Sequence, residues 1–158
     1  MVSTTVLVLA GSFGERLDAE RVAAAIARGL GEDKRLECDL CPVEEQSGAS
    51  SGPGPGTGHS SRSGQASLQL DALDFDRRMR AARAVVIAAA RLDDRALAGT
   101  IAFEAATRAR QAGVPAYAVT AENALDRFEA RIVDLQVILR ARTPRALTAA
   151  GRKLAQLV

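Results

Sequence analysis

At 158 residues the chain is long enough for one domain with a substantial buried core. Its formal net charge is +2, with Lys and Arg scattered among Asp and Glu, and only 3% of residues are aromatic, with no Trp. A nucleic-acid surface needs massed cations or aromatic platforms, and an anionic membrane surface needs the cations, so both partner classes are excluded as expectations.

Met1 to Ala10 has neither the charged start nor the small-residue cleavage site of a secretory leader. The run Val6-Leu7-Val8-Leu9 is far too short to span a bilayer, so the expected location is cytoplasmic. That run instead predicts a buried strand over Thr4–Ala10, of the continuous apolar kind found at the centre of parallel sheets. A Gly11-Ser12-Phe13-Gly14 turn follows. Asp18 is a suitable N-cap for a helix carrying Val22, Ile26 and Leu30 along one face, and Gly31 is placed to end it as a left-handed cap. Leu36–Val43 alternates and predicts a strand at or near a sheet edge, because Glu37 and Asp39 occupy its other face. Cys38 and Cys41 make one C-x-x-C in this strand. With His59 the only histidine, Cys and His alone cannot complete a zinc site, and a strand is the wrong setting for a redox pair. Both cysteines are expected to be structural.

From Gln46 to Ser67 no apolar residue exceeds alanine in size. Such a stretch recovers little ordering entropy by burial, so 46–67 is expected to be a flexible Gly/Ser-rich linker within the domain. Beyond it the pattern is regular. A helix is predicted over Leu70–Ala82 with Leu73, Phe75 and Met79 inward, then a buried strand over Ala84–Ala90. A long helix opens at Asp93 or Asp94, carries Leu97, Ile101 and Ala105, and closes at Gly113. A strand over Ala116–Thr120, a short helix around Asn123–Ala130 and a strand over Val133–Leu139 follow. Thr143-Pro144 starts the last helix, with Leu147, Leu154 and Val158 inward.

Strands alternating with helices through short connections predict one α/β domain over 1–158. The expected architecture is a three-layer Rossmann-like sandwich of about five mostly parallel strands with helices on both faces. Ligands of such sheets bind beyond the carboxyl ends of the strands, which points to Gly11–Arg16, Glu44–Gln46, Ala88–Asp94 and Thr120–Asn123. Gly11-x-x-Gly14 lacks the third glycine of a dinucleotide fingerprint, and no Gly-Lys-Ser/Thr phosphate loop is present.

Residues 82–121 read ARAVVIAAARLDDRALAGTIAFEAATRARQAGVPAYAVTA. Arg91, Leu92, Asp93, Gly99 and Ala112-Gly113-Val114-Pro115 resemble, without gaps, the bacterial glycerate kinase pattern G-E-G-R-L-D-x-Q-T-x-x-G-K, helix, A-G-V-P. A second echo lies in AGSFGERLDAERVAAAI, where Ser12, Phe13, Leu17, Ala19, Val22, Ala23 and Ile26 resemble the family's opening P-D-S-F-K-G-S-L-S-A and V-A-x-A-I. The resemblance implies relatives about twice this length, with a second lobe inserted where the Gly/Ser segment stands here and an active site between the lobes. A flexible tether would suffice to join the halves of the remaining lobe, since loop-closure cost rises slowly with length.

The resemblance also implies losses. The family's aspartate before Ser-Phe is Gly11 here and its following lysine is Gly14. Its D-G-G-E-G-T stretch falls on Glu45–Ala49, where one carboxylate remains. Its G-E-G is Ala88-Ala89-Ala90, and its lysine after Gly99 is Thr100. Phosphoryl transfer depends on such cations and metal-holding carboxylates, and losing one can cost on the order of 10²–10³ in rate. The expectation is a glycerate-kinase-like pseudoenzyme that binds a small organic acid, a nucleotide or a protein partner, or associates with itself. Arg91 and Asp93 remain as the surviving catalytic positions, and Ser12, Gly14 and Glu45 as ligand-binding positions, with no resident metal. Two structural alternatives stand beside these roles: Asp93 as a helix N-cap, and Arg91 paired with Glu44 or Glu45. The rival is an active ATP- and Mg-dependent glycerate kinase completed by dimerisation or a partner chain. A flavodoxin-like signalling domain is disfavoured because no phosphorylatable aspartate follows the first strand.

Overall fold

The computed structural model describes residues 2–44, 58–93 and 100–158, the side chains of 58–63 excepted. Among the described residues five strands alternate with six helices. They are β1 (Thr4–Ala10), α1 (Ala19–Leu30), β2 (Leu36–Pro42), α2 (Gly58–Ala72), α3 (Phe75–Ala81), β3 (Ala84–Leu92), α4 (Ile101–Ala112), β4 (Ala116–Asn123), α5 (Arg127–Val133), β5 (Leu135–Arg140) and α6 (Pro144–Ala155).

The strands form one sheet in the order β2-β1-β3-β4-β5, all pairs parallel. This is the doubly wound order of flavodoxin-like sheets. β1 lies between β2 and β3: Val6 pairs with Cys38 on one side and Ala84 on the other, and Leu9 with Cys41 and Ile87. The two halves on either side of the Gly/Ser segment therefore share one sheet, as the apolar runs predict. Successive strand residues face opposite layers. Leu7, Leu9, Val85 and Ile87 enter the core under α2, α3 and α4, and Val6, Val8, Val86 and Ala88 the core under α1 and α6.

The α1–α6 layer sets the position of everything that follows β1. The helices approach so closely that a Cβ on Gly29 would stand 2.0 Å from the Thr148 carbonyl oxygen, and one on Gly151 2.3 Å from that of Ile26. Thr148 Oγ1 donates to the Ala25 carbonyl at 3.0 Å across the same contact. On the other face Arg108, almost buried, ties three helices together: it pairs with Asp71 of α2 at 2.8 Å, Asp76 of α3 at 3.2 Å and Glu104 of α4 at 3.1 Å.

Several boundaries differ from the sequence reading. A helix starts at Gly58 rather than Leu70 and breaks at Leu73–Asp74, so residues 58–67 are helical; 46–57 lie outside the described residues. Ala66 and Leu70 bury against α4, and Arg108 donates to the Ser67 hydroxyl at 2.7 Å, so tertiary contacts hold a segment of weak amphipathicity. Gly31 is right-handed (φ −72°) because the chain continues into a turn, Asp33 N–H donating to Leu30; Gly113 (φ 72°) is the left-handed cap expected. The helix 101–112 starts later than expected and is capped by Thr100, whose hydroxyl accepts from Phe103 N–H; 94–99, with Leu97 and any turn that Asp93 would cap, lie outside the described residues.

Cys38 and Cys41 are free thiols three positions apart on β2, Cys41 in one core and Cys38 packed against the other. Desolvation raises both thiols, with Arg78 pulling Cys41 the opposite way from 3.5 Å. No helix among the described residues is long and apolar enough to cross a membrane.

Candidate functional site

The strand order reverses between β1 and β3, and the carboxyl ends of these strands bound the crevice where doubly wound sheets take ligands. Its first wall is the loop after β1. Gly11 N–H donates to the Ala88 carbonyl at 2.9 Å, laying the loop across β3, and Phe13 N–H donates to the Leu17 carbonyl at 2.7 Å. Gly14 has φ 93°, a conformation that L side chains rarely adopt. A lysine there, as in the glycerate kinase pattern, would be strained in this loop. The amides of Ser12, Gly14 and Glu15 have no protein partner among the described residues, and Ser12 and Gly14 are exposed.

The neighbouring helix start is less open to an anion than its sequence suggests. Asp18 Oδ1 accepts from Arg21 N–H at 2.9 Å, so a carboxylate already sits where the α1 amides and dipole would attract an anion. What the loop offers is three exposed amides beside Arg16, not a built helix-terminus site.

The second wall is the end of β3. Arg91 Nε lies 2.6 Å from Asp93 Oδ2, and Nη1 lies 3.9 Å from Glu122 Oε2. Among the described residues Arg91 thus pairs with Asp93 and Glu122 and not with Glu44; Glu45, the other expected partner, lies outside them. Glu122 reaches this position because β3 and β4 run past their predicted ends and continue pairing, Arg91 opposite Glu122 and Leu92 opposite Asn123. Fully buried Thr120 holds the rim in register: its hydroxyl donates to the Glu122 carbonyl at 3.0 Å and accepts from Glu122 N–H at 3.3 Å. Sequence reasoning included Glu122 in the candidate stretch Thr120–Asn123 without singling it out, and only the register shows that it meets Arg91.

Asp93 is shielded, its side chain 15% exposed, whereas Arg91 is 56% exposed. One guanidinium between two carboxylates gives the cluster a net negative charge. It suits a hydrogen-bond donor or a cationic group better than a bare polyphosphate. No group of three or more His, Cys, Asp or Glu placed to hold a metal occurs among the described residues. Glu45 lies outside them; its neighbour Glu44 follows β2, on the far side of β1 from Arg91. A shallow cleft of about 640 Å³ opens at the opposite rim, by Thr5, Arg83, Pro115 and Tyr117, away from the residues the sequence singled out.

The glycerate kinase family model matches residues 44–158, nearly three-quarters of the chain, with the Arg91–Asp93 strand end and the Gly113–Pro115 turn inside the match. The chain belongs to the glycerate kinase family. The match leaves out the loop after β1, so Ser12 and Gly14 rest on the motif echo alone. No curated protein matches the chain. Among solved structures, an oxidoreductase from Corynebacterium diphtheriae superposes with TM-score 0.51 at 11% identity, over 100% of this chain and 98% of its own, and shares the fold. A protein described as pilus assembly-related from Burkholderia pseudomallei K96243 gives TM-score 0.49 at 23% identity, over 97% of this chain and 90% of its own.

Within this family framework the geometry of Ala88–Ala90 carries weight. These residues occupy the place of the glycerate kinase G-E-G stretch, yet they lie inside β3. Ala88 pairs with Val119 and Ala89 with Thr120, and both are buried. Ala88 and Ala89 are sheet core and Ala90 is half-buried in the same strand, so the run offers neither a carboxylate nor the backbone latitude of two glycines.

Proposed function

We propose that this member of the glycerate kinase family is a single catalytic-lobe fold that has lost phosphoryl transfer and acts by binding. Its ligand is a small organic acid or a nucleotide at the β1/β3 crevice, or a protein partner. The observation that carries the reading is the absorption of Ala88–Ala90 into β3. Gly14 in place of the lysine, held at φ 93°, supports it. Catalysis of phosphoryl transfer is electrostatic stabilisation and positioning, and among the described residues the Arg91 guanidinium is engaged by two carboxylates, Asp93 and Glu122, which leaves it less available to a triphosphate.

On this reading the Gly/Ser-rich segment within 46–67 stands where the family's second lobe would be inserted. A crevice that lacks a facing lobe would admit water, which weakens charge interactions inside it. What remains can still bind. The Ser12, Gly14 and Glu15 amides can donate to a carboxylate, while Asp93 and Glu122 can accept hydrogen bonds from the hydroxyls of a hydroxy acid or a ribose. Kinase chemistry completed by dimerisation or a partner chain is the rival, with Mg-ATP as co-substrate and Arg91 and Asp93 as the residues left to serve it.

Thermal shift with glycerate, phosphoglycerate, ADP and ATP tests the binding role. One of these is expected to raise the melting temperature in proportion to the logarithm of its concentration above Kd, and Arg91→Ala to abolish the shift. No shift with any of the four at millimolar concentration would leave the crevice without a small-molecule role.

A further inference from the structure

Among the described residues β2 is an edge strand, with β1 on one side and no strand on the other. At one end Thr4 N–H donates to the Arg35 carbonyl, and at the other Val43 N–H donates to the Ala10 carbonyl. The odd-numbered positions of β2 therefore carry its ladder with β1. The peptide groups of Cys38 and Leu40 point outward, where a central strand would meet a second neighbour. Packing also differs along the strand. Leu36 and Cys38 pack against the α1 face, whereas beyond Cys38 only Cys41 of the strand is buried.

Arg78 takes up the bonding that this outer side lacks. Phe75 and Met79, both buried, fix α3, and Arg78 reaches the edge of β2 from that layer. Its Nε donates to Asp39 Oδ2 at 2.9 Å and its Nη2 to Asp39 Oδ1 at 2.6 Å. Nη2 also donates to the outward Leu40 carbonyl at 2.8 Å. Nη1 donates to Cys41 Sγ at 3.5 Å and to the Leu73 carbonyl, in the turn before α3, at 3.3 Å. A guanidinium carries five N–H groups in a rigid fork, and here every one has an acceptor. Three consecutive residues of β2, Asp39, Leu40 and Cys41, hang on that one side chain.

We propose that Arg78 is a latch holding the carboxyl half of β2, from Asp39 to Val43, on the sheet, and that this half opens by itself when the latch is lost. Without Arg78 the half keeps a ladder on one side only, while the Asp39 carboxylate and the Leu40 carbonyl lose their partners. The amino half keeps the packing of Leu36 and Cys38 and the Thr4–Arg35 bond, so the break falls between the halves. Cys41, 1% exposed with the latch closed, becomes accessible when the half opens. A lysine at position 78 would bring the charge without the fork, and one ammonium cannot span Asp39, Leu40 and Leu73 together. The latch is independent of what the β1/β3 crevice binds.

Amide hydrogen exchange and thiol labelling of Arg78→Ala test it. The Cys41 and Val43 amides, which lie in the β1–β2 ladder, are expected to exchange about tenfold faster than in the wild type, or more. The Leu7 and Leu9 amides lie in the β1–β3 ladder and should change by a smaller factor, the one that urea unfolding gives for the whole domain. The Cys41 thiol should be labelled faster by the same factor as its amide. Loss of the guanidinium alone would slow that labelling, because Arg78 favours the thiolate, so acceleration reports opening. Arg78→Lys should fall between wild type and Arg78→Ala, and it decides the matter if Arg78→Ala does not fold. Unchanged Cys41 and Val43 amides, or amides that change by the same factor as Leu7 and Leu9, overturn the proposal. Wild-type exchange in Arg78→Lys overturns the role of the fork.

Discussion

Gly29→Ala places a methyl group in the α1–α6 contact, where its Cβ would meet the Thr148 carbonyl oxygen at 2.0 Å, Arg152 N at 2.8 Å and Gly151 Cα at 2.9 Å. At an exposed helix position the same change stabilises by roughly 0.5–1 kcal/mol, because glycine loses more backbone entropy on folding. Here the obstacles are backbone atoms, which cannot swing aside as a side chain would. Restoring ordinary contact requires the helices to part by more than about 1 Å, and a gap of that size forfeits about a quarter to a half of each dispersion contact along the seam. Val22, Ile26, Leu147 and Leu154 lie on that seam, and the Thr148–Ala25 hydrogen bond crosses it. Overpacking of this kind costs about 1–3 kcal/mol and occasionally more, so it outweighs the entropy gain. A net loss of about 2 kcal/mol is expected, or about 4–8 °C in melting temperature for a domain of this size. Gly64→Ala is the control: Gly64 lies inside α2 with nothing within 4 Å of an added Cβ, so a small gain is expected. Calorimetry of both variants decides the matter. Gly29→Ala melting at or above the wild type would show that α1 and α6 do not pack as closely as described.

Arg108→Ala removes the cation shared by Asp71, Asp76 and Glu104 and should lower stability by about 2 kcal/mol; urea unfolding checks this, a change below about 0.5 kcal/mol contradicting it. Arg78 hydrogen-bonds Asp39 at 2.6 Å and holds its carboxyl below the ordinary value of 3.8. A depressed carboxyl stabilises the fold above its unfolded value, and that contribution is lost as pH falls through the folded one. Melting temperature measured from pH 5 to 2 should therefore fall less steeply in Arg78→Gln than in the wild type. In the native protein a thiol reagent should label half-buried Cys38 before buried Cys41, and both far more slowly than in urea, as mass spectrometry of the labelled peptides would show. Arg91→Ala should change stability by about 1 kcal/mol, since Arg91 is more than half exposed although its partner Asp93 is shielded, and so separates binding from folding.

The parts of the fold that could be read in the sequence are those where one local signal decides the outcome. The Val6–Leu9 and Val85–Ile87 runs are buried on both faces and could only be central strands; Asp18, Gly113 and Thr143-Pro144 act through their own turn. The rest depends on partners distant in sequence. Residues 58–67 look too polar and Gly-rich to order, yet Arg108, some forty residues on, and the α4 surface hold them. Asp93 has the chemistry of an N-cap, but its described partner is Arg91 two residues earlier, and the helix 101–112 takes its cap from Thr100. Of the candidate site, Arg91 and Asp93 could be found from the motif. Glu122 lay within the candidate stretch Thr120–Asn123, but its pairing with Arg91 could not be read, because it arises through the β3–β4 register, and register is a property of two segments at once.

Incubation of the purified chain with ATP, Mg²⁺ and glycerate, followed by phosphorus NMR, tests whether this lobe keeps its fold without the family's reaction. No phosphoglycerate above an enzyme-free blank is expected, over a period in which an active glycerate kinase control consumes all of its substrate. Phosphoglycerate formed by the wild type and abolished by Asp93→Ala would contradict the account, and would make the Arg91–Asp93 pair part of a working active site.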